Sequence, residues 1–203
     1  MTMDERMKQG YLWMDTGEYM EEQARAKDLM YEFNHTRPSD EEKRNELIRE
    51  IFGSVGDPVW VMQPINSLAR GKTVHIGSGT YINSGLTLVD DYEIFIGDHC
   101  LLATNVTICT TGHPVHHELR SHGEMYSFPV KIGNHVWIGA GAIILPGVTI
   151  GNNSVIGAVS VVTKDIPANV VAVGNPCRVL REITDRDKEY YYKDMRVDMQ
   201  KFE

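Results

Sequence analysis

Cysteine is scarce in this chain. Cys100, Cys109 and Cys177 stand far apart, odd in number and without a C-x-x-C pair, which argues against a disulfide framework or a zinc knuckle and leaves buried, reduced thiols as the expectation. Long apolar runs are missing too. None approaches the roughly 18 residues needed to span a bilayer, and the opening Met1-Thr-Met-Asp-Glu-Arg-Met-Lys8 has no secretory apolar core, so a cytoplasmic protein without membrane contact is expected. Basic residues are outnumbered, 20 Lys and Arg against 28 Asp and Glu, for a net charge of −8. That balance speaks against nucleic-acid binding, which needs a basic surface to neutralise phosphates. No G-x-S-x-G elbow occurs, so the usual serine-nucleophile motif is absent. With 203 residues, 42% of them hydrophobic, the chain fits one globular domain with a small appendage.

What the chain does have is a six-residue period. Ile132, Ile138, Ile144, Ile150, Ile156 and Val162 keep it, and Gly133, Gly139, Gly151 and Gly157 follow four of these aliphatics. An α-helix would return apolar residues every three or four positions and a half-buried strand every two, whereas a strict hexad places one aliphatic on each side of a triangular coil. The phase also runs through Ile76, Ile82 and Leu88, slips by two at Ile94-Phe95, and resumes at Ile96, Leu102 and Ile108. The expected fold is therefore a β-helix.

Between Ile108 and Ile132 the period stops, and residues 110–129 carry Gly112, Pro114, Gly123 and Pro129 as breakers. Loops above roughly 12 to 15 residues are uncommon in compact domains and are often functional. This one contains Gly112-His113-Pro114-Val115-His116-His117. An imidazole titrates near neutrality and serves as a general base towards a hydroxyl; three clustered imidazoles could instead hold zinc. Adjacent His116 and His117 would point apart on an extended segment, which weakens the zinc reading. Cys109, at a repeat position, reads as a core thiol rather than an acyl carrier. Direct acyl transfer then needs a base, a positioned donor and an N–H for the oxyanion, which the turn Trp137-Ile-Gly-Ala-Gly141 could supply. Asn83, Asp90, Asp91 and Asp15 are polar residues suited to sugar hydroxyls, with turn chemistry as the plainer reading of the Asp90-Asp91 pair.

The ends differ from the middle. Residues 1–58 read as a helical segment: residues 18–33 carry Met20, Ala24, Leu29, Met30 and Phe33, and Ser39-Asp-Glu-Glu42 resembles a capping box before Leu47, Ile48, Ile51 and Phe52. Residues 59–184 are assigned to the β-helix, with 110–129 inserted, and 185–203 to a polar tail whose residues 185–192 form a short helix. Because a β-helix exposes unpaired edges at its last coils, helical segments at both ends are expected to cover them.

Several stretches together resemble the hexapeptide-repeat sugar O-acetyltransferases, the galactoside O-acetyltransferase family with the maltose O-acetyltransferases as near relatives. They are Leu29-Met-Tyr-Glu-Phe-Asn34, Val89-Asp-Asp-Tyr92, Thr111-Gly-His-Pro-Val-His-His-Glu-Leu-Arg120, Gly123-Glu-Met-Tyr-Ser-Phe-Pro129, Val136-Trp-Ile-Gly139, Val162-Thr-Lys-Asp-Ile-Pro167 and Pro176-Cys-Arg178. The resemblance covers nearly the whole chain, and the histidine loop is its most specific part.

The resemblance implies a mostly β protein, a left-handed parallel β-helix with an N-terminal helical segment and a long inserted loop, assembled as a homotrimer with active sites between subunits. It implies transfer of acetyl from acetyl-coenzyme A to the 6-hydroxyl of a galactoside, or of maltose or glucose, with no metal. By the same carry-over His113 is the general base, Asp15, Asn83, Asp91, Glu124 and Met125 meet the acceptor, and Ala140, Ala158, Thr163, Lys164, Arg178 and Arg181 meet the coenzyme. The chain departs from the family at Leu68-Ala69-Arg70-Gly71, where Ala69 stands in place of a hydroxyl or thiol residue. Two readings of other classes stay open at this point: a metal-dependent β-helix lyase and a non-catalytic trimeric scaffold.

Overall fold

The computed structural model describes residues 1–198; of the tail expected at 185–203, residues 199–203 lie outside them. The hexad becomes one side of a three-sided parallel coil. The first sheet stacks Ser54–Val55, Val74–Ile76, Ile94–Ile96, Val130–Ile132 and Thr149–Ile150. The second stacks Val59–Val61, Thr80–Ile82, Leu101–Leu102, Trp137–Ile138, Val155–Ile156 and Val170–Val173, and the third Ile65–Ser67, Leu86–Val89, Thr107–Cys109, Ile143–Ile144 and Val161–Val162. The aliphatics form vertical rows. Ile76, Ile96, Ile132 and Ile150 are in register on the first sheet, Ile82, Leu102, Ile138 and Ile156 on the second, and Leu88, Ile108, Ile144 and Val162 on the third. All of these are buried, and each such burial contributes roughly 1.5–3 kcal/mol.

The glycines of the repeat have a steric cause. A Cβ on Gly133 would lie 2.3 Å from Asn152 Oδ1, the atom that accepts the Asn134 N–H at 2.9 Å. A side chain there would evict the carboxamide that ties one corner to the next. The two-residue slip is also structural, being a longer corner at residues 90–93 between the third and first sheets. Inside it the buried Asp90 carboxylate accepts from the N–H groups of Ala69 and Gly71, both at 2.6 Å, from Arg70 N–H at 3.1 Å and from the Thr73 hydroxyl at 3.2 Å. It staples the corner at 68–73 to its own. Burial pushes the Asp90 carboxyl up, and the Ala69, Gly71, Arg70 and Thr73 donors pull it back.

Coil pairing starts earlier than the hexad suggests. Ser54 and Val55 already pair with His75 and Ile76, and Val59–Val61 and Ile65–Ser67 complete that first coil, where Pro58 and Pro64 break the period. Ahead of it run α1 (Met3–Lys8), α2 (Gly17–His35) and α3 (Glu41–Ile51). The capping box sits at Thr2 and Glu5 on α1, while α3 is capped by the Asp40 side chain, one residue beyond the expected Ser39. On α2 the buried residues are Tyr19, Ala26 and Phe33, with Leu29 and Met30 partly covered; Met20 and Ala24 face solvent. Phe33, Leu47, Ile48, Ile51 and Phe52 join the solenoid's own core, so these helices cap the first coil.

The far end is closed differently. Strand Arg178–Glu182 pairs antiparallel with Val170–Val173, covering that edge without a helix. Of residues 185–192 only Arg186–Glu189 are helical, and Tyr190–Tyr192 turn back on Met195–Arg196 as a small hairpin. Among the described residues no helix is long and apolar enough to cross a membrane.

Candidate active site

The interrupted edge, between the third and first sheets, carries the histidine loop. Thr111–Gly112 and Tyr126–Ser127 pair antiparallel, so the insertion leaves and rejoins the coil as a hairpin, with a short 3₁₀ turn at His117–Arg120. His113 follows the first of these strands and is exposed, its Nδ1 2.9 Å from the carbonyl oxygen of Glu124. A carbonyl only accepts, so Nδ1 carries a proton and donates it; in the neutral ring Nε2 is then the nitrogen with the lone pair. Glu124 is held in turn. Its carboxylate accepts from His122 N–H at 2.9 Å and meets the His122 ring at 3.2 Å, and these contacts, the main-chain one foremost, hold its carboxyl below the usual range.

The N-terminal arm closes over this hairpin. Trp13 and Met125 exchange main-chain hydrogen bonds, both at 2.9 Å, and the buried Trp13 indole donates to Ser127 Oγ at 2.9 Å. Two residues on, Asp15 lies close enough for its charge to act on Tyr19. Tyr19 Oη donates to Asp91 Oδ1, and Asp91 is itself buried, at 6% exposure. Asp15, Asp91, His113, Glu124 and Met125 are thus gathered along one edge, joined through Tyr19 and Trp13. Thr163 and Lys164 are exposed at the same edge near the coil's end, between Val161–Val162 and Ile166.

The other expected residues lie elsewhere. Asn83 turns the edge between the second and third sheets, its Oδ1 accepting from Ser84 N–H at 2.8 Å. Ala140 and Ala158 stack at that same edge, with Val159 N–H donating to the Ala140 carbonyl at 2.8 Å. The whole third sheet separates these from His113. Arg178 opens the closing strand and donates to the Cys177 carbonyl at 2.7 Å. Arg181 is engaged with Asp187 through two contacts of 2.7 and 2.8 Å, which hold the Asp187 carboxyl down at about 2.

Two expectations need correction. His116 and His117 do not diverge: their rings stack at 5.0 Å, because the chain turns into the 3₁₀ segment there. Cys109 is half-buried whereas Cys100 and Cys177 are buried, since Ile108 takes the inward position and strand alternation turns its neighbour away. In the turn at 137–141 the amides of Gly139 and Gly141 donate to the carbonyls of Ile156 and Thr104, which leaves the Ala140 N–H as that turn's candidate donor to an oxyanion. Among the described residues no three His, Cys, Asp or Glu side chains converge as a metal cage. Trp13, Tyr19 and Arg70 were not singled out from the sequence as site residues; an aromatic two residues before Asp15 and one four after it were the available signal.

Comparison with known proteins bears on the whole chain. Residues 6–56 match the family described as the maltose acetyltransferase hexapeptide capping motif, and residues 129–164 the bacterial transferase hexapeptide (six repeats). The galactoside O-acetyltransferase of Escherichia coli K12 is 59% identical over 199 residues, covering 98% of each chain. A solved galactoside acetyltransferase in complex with coenzyme A superposes with a TM-score of 0.95 at 58% identity, over 98% of this chain and 99% of that one. A maltose O-acetyltransferase from Clostridium difficile 630 does so with a TM-score of 0.88 at 46% identity, over 91% and 98%. A capped three-sided coil, a histidine-bearing insertion in it and identity that runs end to end place this chain in the galactoside O-acetyltransferase family of hexapeptide-repeat acyltransferases.

Proposed function

We propose that the protein transfers acetyl from acetyl-coenzyme A to the 6-hydroxyl of a galactoside, by direct attack and with His113 as general base. The observation that carries this is the contact between His113 Nδ1 and the Glu124 carbonyl at 2.9 Å, which commits Nδ1 to donation and makes Nε2 the nitrogen that can take a proton. Nε2 takes the acceptor's hydroxyl proton as the oxygen adds to the thioester carbonyl. The tetrahedral oxyanion then collapses, the C–S bond breaks, and the imidazolium returns its proton to the departing thiolate. Asp15, Asn83, Asp91, Glu124 and Met125 would hold the acceptor, and Ala140, Ala158, Thr163, Lys164, Arg178 and Arg181 the coenzyme. In this reading Arg181 exchanges Asp187 for a phosphate.

The active unit we propose is a cytoplasmic homotrimer of left-handed coils. Its support is the division of the site: Asn83, Ala140 and Ala158 occupy one edge of the coil and His113 and Asp91 another, so one chain alone cannot bring them together and a neighbouring copy can. Trp60, Tyr81, Leu101 and Trp137 also stand in consecutive register on the second sheet, all exposed but the half-buried Tyr81, an apolar row suited to contact with another copy. Maltose or glucose is the alternative acceptor, favoured by the likeness to the maltose enzyme and by Ala69, which has no side-chain hydrogen bond to give.

The test is acetyl-coenzyme A-dependent thiol release on a panel of galactosides, maltose and glucose, with His113→Ala as control. Turnover on a galactoside that falls about 100- to 10,000-fold in the variant is expected. Near-normal turnover by His113→Ala would sink the mechanism, and preference for maltose would move the acceptor.

A further inference from the structure

The proposed acceptor carboxylate, Asp91, reaches the site already engaged. Tyr19 Oη donates to its Oδ1. Tyr19 is 1% exposed, packed edge-on against Trp13 with ring centroids 5.5 Å apart and planes at 67°, and Gln23 Nε2 donates to its oxygen at 3.3 Å. Burial and the adjoining Asp91 carboxylate push the phenol above its ordinary range, which keeps it a donor at neutral pH. The helix bearing Tyr19 is itself fixed by Arg70, whose side chain is 11% exposed. Its Nε meets Glu22 at 2.7 Å and its Nη1 meets Asp4 at 2.8 Å and the Asp91 carbonyl at 3.4 Å, while its guanidinium lies 6.0 Å from the Tyr19 ring centroid. One cation thus joins α1, α2 and the corner that carries Asp91.

We infer that Tyr19 is a positioning residue for acceptor binding: held by Arg70 and Trp13, it fixes the rotamer of Asp91 by bonding to Oδ1, so that the carboxylate meets an acceptor hydroxyl in one orientation. The inference rests on the reading of Asp91 as an acceptor contact. With one lone pair of Oδ1 committed to Tyr19, Oδ2 is the freer acceptor of the carboxylate, and an acceptor hydroxyl meets it in a fixed orientation. The arm therefore acts on specificity as well as on packing.

Steady-state kinetics on the full chain separates the outcomes. In Tyr19→Phe the ring stays against Trp13 and only the hydroxyl is lost; the KM for the acceptor is expected to rise on the order of tenfold, with the KM for acetyl-coenzyme A holding. In an Asp91→Asn background the same substitution should add little, because both act through one carboxylate. An unchanged acceptor KM in Tyr19→Phe overturns the inference, as does a rise that persists in full in the Asp91→Asn background. An unchanged acceptor KM in Asp91→Asn alone overturns the reading of Asp91 instead. Arg70→Gln supplies an independent check, with the acceptor KM expected to move in the same direction as in Tyr19→Phe.

Discussion

Trp13 and Met125 hold each other by a reciprocal pair of main-chain hydrogen bonds of 2.9 Å, so the arm that precedes α2 forms one wall of the histidine hairpin. Trp13 belongs to a small cluster with Met7 and Tyr19, separate from the solenoid core. Trp13→Ala is therefore expected to remove local stability, about 3–5 kcal/mol, from the arm and hairpin alone. Hydrogen exchange is the measurement: the amides of Trp13 and Met125 should exchange much faster while that of Lys131, bonded within the coil, keeps its protection. Equal loss at both places would show that arm and coil unfold together.

Asp90 is a structural carboxylate beside Asp91, the proposed acceptor contact. Replacing it with alanine strands the N–H groups of Ala69, Arg70 and Gly71 in a covered corner. A loss of about 3 kcal/mol or more is expected, readable in urea unfolding, and Asp90→Asn should recover part of it. A change below about 1 kcal/mol would mean that water replaces the carboxylate.

The link between Arg181 and Asp187 sets an acid limit for the closing strand. Its carboxyl is lowered to about 2, so the stabilisation is complete above the ordinary aspartate value of about 3.9 and is lost as pH falls through about 2. Carboxyl chemical shifts should show Asp187 titrating near that low value, and Arg181→Ala should raise it towards the ordinary one, with the Thr184 N–H still on the carboxylate at 2.8 Å. An Asp187 that titrates normally in the intact protein would rule the link out in solution.

Ala69 sits at the corner that Asp90 staples, 8% exposed, next to the Asp91 edge. Ala69→Ser adds one hydroxyl without disturbing the main-chain bond to Asp90. The acceptor KM is expected to fall about 2- to 10-fold on a galactoside. No change on any sugar tested would place residue 69 outside the acceptor's reach.

The hexad was legible in the sequence because each coil repeats the same two demands, an aliphatic inward and a residue without a side chain at the crowded corner, as at Ile132 and Gly133. The first coil was harder to read: Val59, Val61 and Ile65 meet the same core, but prolines and a longer corner disturb the spacing. The histidine loop stood out by interrupting a period. The partners of its residues did not, since Tyr19 reaches Asp91 and Trp13 reaches Ser127 across distances in sequence that no local pattern encodes. The rotated histidine pair and the half-buried Cys109 were missed for a smaller reason: one local turn and one strand alternation decide them.

That His113 and Asn83 occupy different edges of the same coil has a genetic consequence. In the trimer proposed above, a defect at one edge and a defect at the other are borne by different walls of each cleft. Two inactive alleles, one altered at His113 and one at Asn83, would then complement when co-expressed, because some clefts join an intact wall from each gene product. Two alleles both altered at His113 would never do so.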